Sequence, residues 1–142
     1  MVHVVFSTQN REPILFSDIQ PEVFAYLATM LRNDGHQPIS VGGHLDHVHL
    51  LFVLSKTQTI SKAIENLKVG SSKWIKTKGP RWENFSWQAG YAAYGVSESD
   101  VPSVDDYIRR QQEHHILTTF QDELRKILRE QNIEFDERYL WN

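Results

Sequence analysis

Cysteine is absent from this 142-residue sequence, so neither disulfide bonds nor thiolate metal sites are possible. Long apolar runs are absent too, since no segment approaches the roughly 20 residues that a membrane-spanning helix needs. The first residues lack the basic region, apolar segment and small-residue cleavage site of a signal peptide. These absences argue against disulfide-rich secreted and membrane-spanning classes, and we expect a cytoplasmic protein.

The overall composition is that of an ordinary globular protein, with 40% hydrophobic and 23% charged residues. A chain of this length can bury one substantial core. We find no internal repeat, low-complexity tract or linker. The sequence therefore predicts a single domain over residues 1–142.

The net charge of the chain is slightly negative, but its basic residues are concentrated in one stretch. The net charge of −3 argues mildly against an indiscriminate binder of polyanions. Yet seven of the fifteen basic residues lie between Lys56 and Arg81, where Glu65 is the single acidic residue. A surface that faces a phosphate backbone and an ordinary solvated helix face explain this run equally well.

The order of the predicted elements favours an α+β fold. Apolar residues recur at helical spacing after Ser17 or Asp18, after Thr59 or Ser61 and after Ser103, which are candidate N-caps. The order β-α-β-β-α-β is the ferredoxin-like split βαβ pattern, an antiparallel sheet with helices on one face, here with C-terminal helices added. The predicted strands are 2–8, 37–45 and 47–54, and residues 85–96 form a further strand or strand pair. The first predicted helix ends at residues 33–35 and the second at residues 78–80, the third covers roughly 103–115, and the fourth starts at 118 or 119.

Two histidines one residue apart interrupt the apolar strand that begins after Asp46. Strand side chains alternate between faces, so His47 and His49 project from the same side, about 7 Å apart along the chain. That separation allows two imidazoles to bind one metal ion, and Asp46 could orient one of them through its second ring nitrogen. Because strands also carry histidines for packing, the motif alone is a weak indication.

A polar helix supplies the second candidate group. Tyr107 and Gln111 are four residues apart and therefore share a helix face, with His114 and His115 just beyond. A surface helix with a tyrosine packed at its edge is the alternative interpretation. Tyr91 and Tyr94 lie in the aromatic strand, where we expect packing roles.

Together these stretches make the chain resemble the single-tyrosine HUH transposases, small insertion-sequence and REP-associated enzymes that process single-stranded DNA. The resemblance covers nearly the whole chain, and residues 107–115 are its most specific part. It implies that Tyr107 is the nucleophile and that His47, His49 and Gln111 hold a divalent metal ion. It also implies homodimers, DNA hairpins next to the cleavage site, and a tyrosine helix that can pass to the neighbouring subunit. The other matching segments are 5–13, 46–51 and 87–91.

The expected chemistry suits these residue types. A phenol has a pKa near 10, so it is a poor nucleophile unless a metal ion makes the phosphate more electrophilic or a base assists. Attack by an aryl oxygen gives a phosphotyrosine that can be reversed, which suits cutting and rejoining better than hydrolysis. By resemblance, the 5′ phosphate is joined to Tyr107 and a 3′-OH is released. Nitrogen ligands favour softer ions, so we expect Mn²⁺ to work at least as well as Mg²⁺.

Two other functions remain open at this point. A domesticated protein of the same fold could bind hairpin DNA or RNA without cutting it, and a metal hydrolase would cut without the tyrosine. Basic side chains would neutralise phosphates in each case that involves nucleic acid. The candidate DNA contacts are Arg11, Lys68, Lys73, Lys76, Arg109 and Arg110.

Overall fold

The computed structural model describes residues 1–111 and 120–130. Four strands and four helices account for most of these residues, and short 3₁₀ turns join some of them. The elements in chain order are β1 Val2–Ser7, α1 Gln20–Asn33, β2 Gln37–Gly43, β3 His47–Val53, α2 Ile60–Lys76, β4 Ala92–Gly95, α3 Val101–Arg109 and α4 Phe120–Glu130.

The strands form one antiparallel sheet in the order β2-β3-β1-β4. The central pair is in register over its whole length, from Val2 opposite Phe52 to Ser7 opposite His47. This order, with α1 and α2 as crossover helices, is the ferredoxin-like arrangement that the sequence predicts. The α+β fold is therefore confirmed.

The two faces of the sheet have different chemical character. Val4 and Phe6 of β1 and Leu50 of β3 join the apolar core beneath α1 and α2. Alternation places the intervening residues, including both histidines of β3, on the opposite face. Helix α3 packs on that second face, where Ile108 approaches Gly42 of β2. The polar face of the sheet is thus covered as well.

Helix α2 begins as predicted and α1 does not. The Thr59 hydroxyl accepts the backbone N–H of Lys62, which caps α2. Helix α1 instead follows Ile19 without a side-chain cap, so the prediction of Ser17 or Asp18 as a cap is wrong. A proline in its first turn supplies a preset φ angle instead.

Two element boundaries differ from the predictions. Only Ala92–Gly95 of the predicted strand 85–96 forms β4, because Gln88 and an isolated bridge from Trp87 occupy the remaining edge of β1. Helix α3 starts at Val101, two residues before Ser103, whose hydroxyl donates to the Asp100 carbonyl rather than capping a later start. His114, His115 and the segment 131–142 lie outside the described residues.

No helix in the described part of the chain is both long enough and apolar enough to cross a membrane.

Candidate metal and nucleophile site

The histidine pair lies on the covered polar face of the sheet. His47 and His49 are both fully buried, and their ring centroids are 5.1 Å apart. A Cβ atom added to Gly42 would lie 2.7 Å from the Ile108 carbonyl oxygen, so only glycine lets α3 come this close. Helix α3 therefore lies directly against β2 at Gly42.

His47 is held by groups on both of its ring nitrogens. Its Nδ1 donates to the Asp46 carboxylate at 2.8 Å, the orienting role that the sequence suggested. Its Nε2 lies 3.0 Å from Oε1 of Gln111 and 3.8 Å from a carboxylate oxygen of Glu123. Asp46 thus orients the ring so that Nε2 faces the oxygens of Gln111 and Glu123.

His49 is contacted by a different set of groups. Its Nε2 lies 2.8 Å from Oε1 of Glu123, and its Nδ1 lies 2.9 Å from Nε2 of His3. The other ring nitrogen of His3 hydrogen-bonds to the Tyr94 hydroxyl. Burial, and then the nearby charge of His49, lower the pKa of His3 well below its usual value. His3 is therefore a neutral imidazole at physiological pH.

Glu123 of α4 was not predicted as a site residue. It is 4% exposed, and one carboxylate oxygen lies with a ring nitrogen from each histidine in a group whose atoms are within 4.8 Å of one another. This group of two imidazoles, a carboxylate and the nearby Gln111 amide oxygen brings lone pairs together. The donor set therefore fits a divalent cation. The sequence signal was an acid placed between Phe120 and Ile127 on the apolar side of a predicted helix.

Tyr107 lies beside this group in the same chain. Its ring centroid is 5.8 Å from that of His49, and its side chain is half-buried. Burial and the negative charge of Glu123 raise the pKa of the Tyr107 phenol, whereas a hydrogen bond with the Gln111 side chain acts in the opposite direction. Gln111 also donates to the Tyr107 carbonyl oxygen at 3.3 Å. The phenol is therefore protonated at neutral pH.

Tyr94 is also closer to the site than its predicted packing role implied. Its hydroxyl contacts His3, and its charge contributes to the raised pKa of Tyr107. The two tyrosines differ in their contacts. Tyr107 is adjacent to His49, whereas His3 lies between Tyr94 and that ring.

The predicted DNA contacts occupy several parts of the surface. Lys73 and Lys76 are exposed near the end of α2, on the opposite side of the sheet from the histidines. Arg109 and Arg110 are exposed at the end of α3 beside Tyr107. Arg109 pairs with Asp105 at 2.9 Å and Arg110 with Asp106 at 3.5 Å.

Arg11 and Lys68 are less exposed than the other four. Arg11 is half-buried in a turn with a φ of 56°. The Lys68 ammonium donates to the carbonyl oxygens of Gln88 at 2.9 Å and Gly90 at 2.8 Å, and it lies over the Phe6 ring. Burial lowers the pKa of Lys68 to about 8. These contacts give Lys68 a structural role, and whether it also binds DNA stays a prediction.

A family profile described as "Transposase IS200 like" matches residues 1–111, which contain both histidines, Tyr107 and Gln111. The chain belongs to the IS200-like transposase family. The match stops before Glu123. The resemblance drawn from the His-x-His strand and the tyrosine helix is thereby confirmed.

Known proteins similar to this IS200-like transposase agree with that assignment. The ISDra2 transposase TnpA of Deinococcus radiodurans is 24% identical over 114 residues, which are 77% of this chain and 81% of that protein. A crystal structure from D. radiodurans R1, provisionally assigned as a transposase, has a TM-score of 0.61 at 23% identity and covers 78% of this chain and 88% of its own. A REP-associated tyrosine transposase bound to a REP hairpin has the same TM-score at 14% identity, with 80% and 67% covered. At these identities the two structures establish a shared fold.

Proposed function

We propose that this protein is a metal-dependent transposase that cleaves and rejoins single-stranded DNA through a covalent 5′-phosphotyrosine on Tyr107. The observation that carries the proposal is the placement of the Tyr107 ring 5.8 Å from that of His49, within one chain. A nucleophile and a set of metal-ligating atoms thus occupy the same side of the sheet. The sequence alone did not decide whether one chain could supply both.

His47, His49 and Glu123 would hold the ion, with Gln111 as the further ligand that the sequence predicts. When bound, Mn²⁺ or Mg²⁺ would withdraw charge from the scissile phosphate and fix it for in-line attack. The two histidines differ in the group that contacts Nδ1, which is Asp46 for His47 and His3 for His49. Asp46 keeps the proton of His47 on Nδ1, so that Nε2 faces the site.

In the proposed reaction, the Tyr107 oxygen forms a bond to phosphorus and the bond from phosphorus to the 3′ oxygen breaks. The phenol proton leaves towards the Glu123 carboxylate, which hydrogen-bonds to it, and the departing 3′ oxygen takes a proton from water to become the 3′-OH. Rejoining reverses these steps, because a 3′-OH attacks the phosphotyrosine and the phenol leaves with its proton. One ester replaces another in each direction, so no external energy source is required.

The proposed substrate is single-stranded DNA that contains a hairpin. Exposed Lys73, Lys76, Arg109 and Arg110 provide positive charge for its phosphates, and a solved relative is bound to a REP hairpin. We further propose that the protein acts as a homodimer in the cytoplasm. Since one chain carries both Tyr107 and the histidines, the dimer would serve to hold two DNA ends rather than to complete each site.

The test is covalent trapping on a labelled hairpin oligonucleotide with Mn²⁺. A strand labelled at its 3′ end should shift to a protein–DNA adduct, and a 5′-labelled strand should give a shorter free product. The adduct should be lost in Tyr107→Phe and on removal of the metal by EDTA, and it should persist in Tyr91→Phe, a change on the exposed surface. Cutting by Tyr107→Phe would instead indicate a metal hydrolase, and tight hairpin binding without any cleavage would indicate the domesticated binder.

A further inference from the structure

A row of hydrogen-bonded polar side chains extends from His49 across the sheet. His3 of β1 and Tyr94 of β4 are direct cross-strand neighbours and hydrogen-bond to each other. His3 then reaches across to β3, where its Nε2 lies 2.9 Å from Nδ1 of His49. His3 is fully buried, and its two ring nitrogens contact Tyr94 and His49 directly, so no water molecule is needed between these residues.

The direction of these hydrogen bonds depends on what His49 contacts through Nε2. Beside the Glu123 carboxylate, a neutral His49 carries its proton on Nε2, and Nδ1 accepts a hydrogen bond from His3. The other nitrogen of His3 then accepts from the Tyr94 hydroxyl. Every polar atom along this line has a partner in that state.

Binding of a cation at Nε2 of His49 requires the opposite arrangement. The proton of His49 must then lie on Nδ1 and be donated to His3, whose own proton moves to Nδ1 and is donated to the Tyr94 oxygen. Each ring still carries one proton and the Tyr94 hydroxyl keeps its own, so the protein neither gains nor loses a proton. Tyr94 can reverse its role because a hydroxyl both donates and accepts.

We propose that His3 and Tyr94 are positioning residues that allow His49 to change tautomer when the metal ion binds. The two histidines of the site differ in this respect. The Asp46 carboxylate can only accept, so it fixes His47 in one tautomer, whereas an imidazole can serve His49 in either. The inference rests on the proposed metal dependence of the transposase, but it concerns metal binding alone and needs no DNA.

Nitrogen-15 NMR of histidine-labelled protein tests the proposal directly, with Zn²⁺ as a diamagnetic probe. Protonated and unprotonated ring nitrogens have distinct chemical shifts, and variants that each lack one histidine assign these shifts to residues. Addition of Zn²⁺ should move the proton of both His49 and His3 from Nε2 to Nδ1, and it should leave the proton of His47 on Nδ1. A His3 tautomer that stays unchanged on zinc binding would overturn the proposal, as would the absence of zinc binding to the wild-type protein.

Metal affinity in variants supplies the second measurement. His3→Phe should weaken Zn²⁺ binding about 10–100-fold, the usual cost of losing the group that orients a ligand histidine. His3→Gln should recover part of that loss, since its amide oxygen can accept from His49. Tyr94→Phe, which leaves the buried ring of His3 in place, should weaken binding several-fold, and Tyr91→Phe on the exposed surface should not.

The outcomes separate this inference from the proposed function. Unchanged zinc affinity in both His3→Phe and Tyr94→Phe would contradict the positioning role, even if the wild-type protein forms the DNA adduct. Conversely, a tautomer change without any DNA adduct would contradict the transferase and leave the role of His3 intact. Unfolding temperatures of the metal-free variants distinguish a specific loss of affinity from a general loss of structure.

Discussion

At the scale of single residues, Glu123 has the largest effect on the charge of the site. It is a buried acid whose carboxylate lies 2.8 Å from His49 and 3.8 Å from His47. Burial of a charged carboxylate is costly, so its position beside two imidazoles favours a positive group in their midst. A divalent cation there would be held by charge as well as by lone pairs.

Glu123→Gln should therefore weaken Mn²⁺ binding by about tenfold or more, because two unit charges about 4 Å apart interact by about 4 kcal/mol even at an effective dielectric constant of 20. The amide keeps the size of the side chain and an oxygen ligand, so the change isolates charge. Titration of free Mn²⁺ by electron paramagnetic resonance measures the affinity. Asp122→Asn, on the exposed side of the same helix, is the control and should bind as the wild type does. Equal affinity in Glu123→Gln would remove Glu123 from the ligand set.

Lys68 allows a prediction about stability and pH. The folded protein loses the Lys68 proton near pH 8, whereas the unfolded chain keeps it up to about pH 10.5. Between these values the unfolded state binds more protons, so a rise in pH favours folding through this group. The free energy of unfolding of the wild type relative to Lys68→Met should thus increase from pH 8 to pH 10.5. Urea unfolding at a series of pH values measures it.

Lys73→Met is the matched control for that experiment, since Lys73 is an exposed lysine on the same helix. The wild type and this variant should differ by an amount that does not change over the same pH range. A pH-independent difference for Lys68→Met as well would show that its ammonium titrates as it does in water.

Local spacing explains which site residues could be predicted from the sequence. His47 and His49 share a strand face, and Tyr107 and Gln111 are one helical turn apart, so each pair follows from a short motif. His3 and Glu123 reach the site only through pairing of β1 with β3 and through the placement of α4. No spacing in the sequence encodes these long-range contacts, which is why both residues were missed.

At the scale of secondary-structure elements, the docking of α3 on β2 decides where Tyr107 lies. The carbonyl oxygen of Ile108, the residue after Tyr107, would be 2.7 Å from a Cβ atom at position 42. Real Cβ atoms do not approach this closely, so either the strand or the helix would have to shift. Gly42 thereby permits Tyr107 to sit against the histidines of its own chain.

Gly42→Ala should destabilise the folded state by about 1–3 kcal/mol, the usual cost of overpacking, and should move α3 away from the sheet. Thermal unfolding gives the first quantity, and hydrogen exchange of the α3 amides reports the second. The yield of the Tyr107–DNA adduct should fall in parallel. Gly95→Ala in β4, where an added Cβ meets no atom within 4 Å, is the control and should leave all three unchanged. Full protection of α3 in Gly42→Ala would contradict this role for the glycine.

The boundaries of elements were less predictable than their order. Thr59 caps α2 as expected because its hydroxyl has a free backbone N–H within reach, a purely local interaction. The predicted strand 85–96 shortens to Ala92–Gly95 because Gln88 bonds to the backbone of Ser7 instead of extending the ladder. That choice depends on a residue 81 positions away, and the alternating aromatic pattern could not reveal it.

At the scale of the whole molecule, the sheet separates two regions that carry exposed basic side chains. Lys73 and Lys76 lie on α2, behind the sheet as seen from the histidines, whereas Arg109 and Arg110 follow Tyr107 at the end of α3, where each pairs with an aspartate. A DNA hairpin that contacts both regions must pass around an edge of the sheet. The α2 lysines would then bind phosphates remote from the one that is cut, so they would contribute to affinity and not to the reaction itself.

The double variant Lys73→Gln, Lys76→Gln should accordingly weaken hairpin binding and leave the rate of adduct formation at saturating DNA unchanged. Each lost phosphate contact should reduce the slope of log affinity against log salt by about 0.7–0.9, so the pair should reduce it by about 1.4–1.8. Fluorescence anisotropy at several salt concentrations measures the slope. Lys56→Gln, Lys62→Gln changes the net charge equally at the other end of the basic stretch and should change the slope less. Equal losses in both double variants would mean that overall charge, and not the end of α2, attracts the DNA.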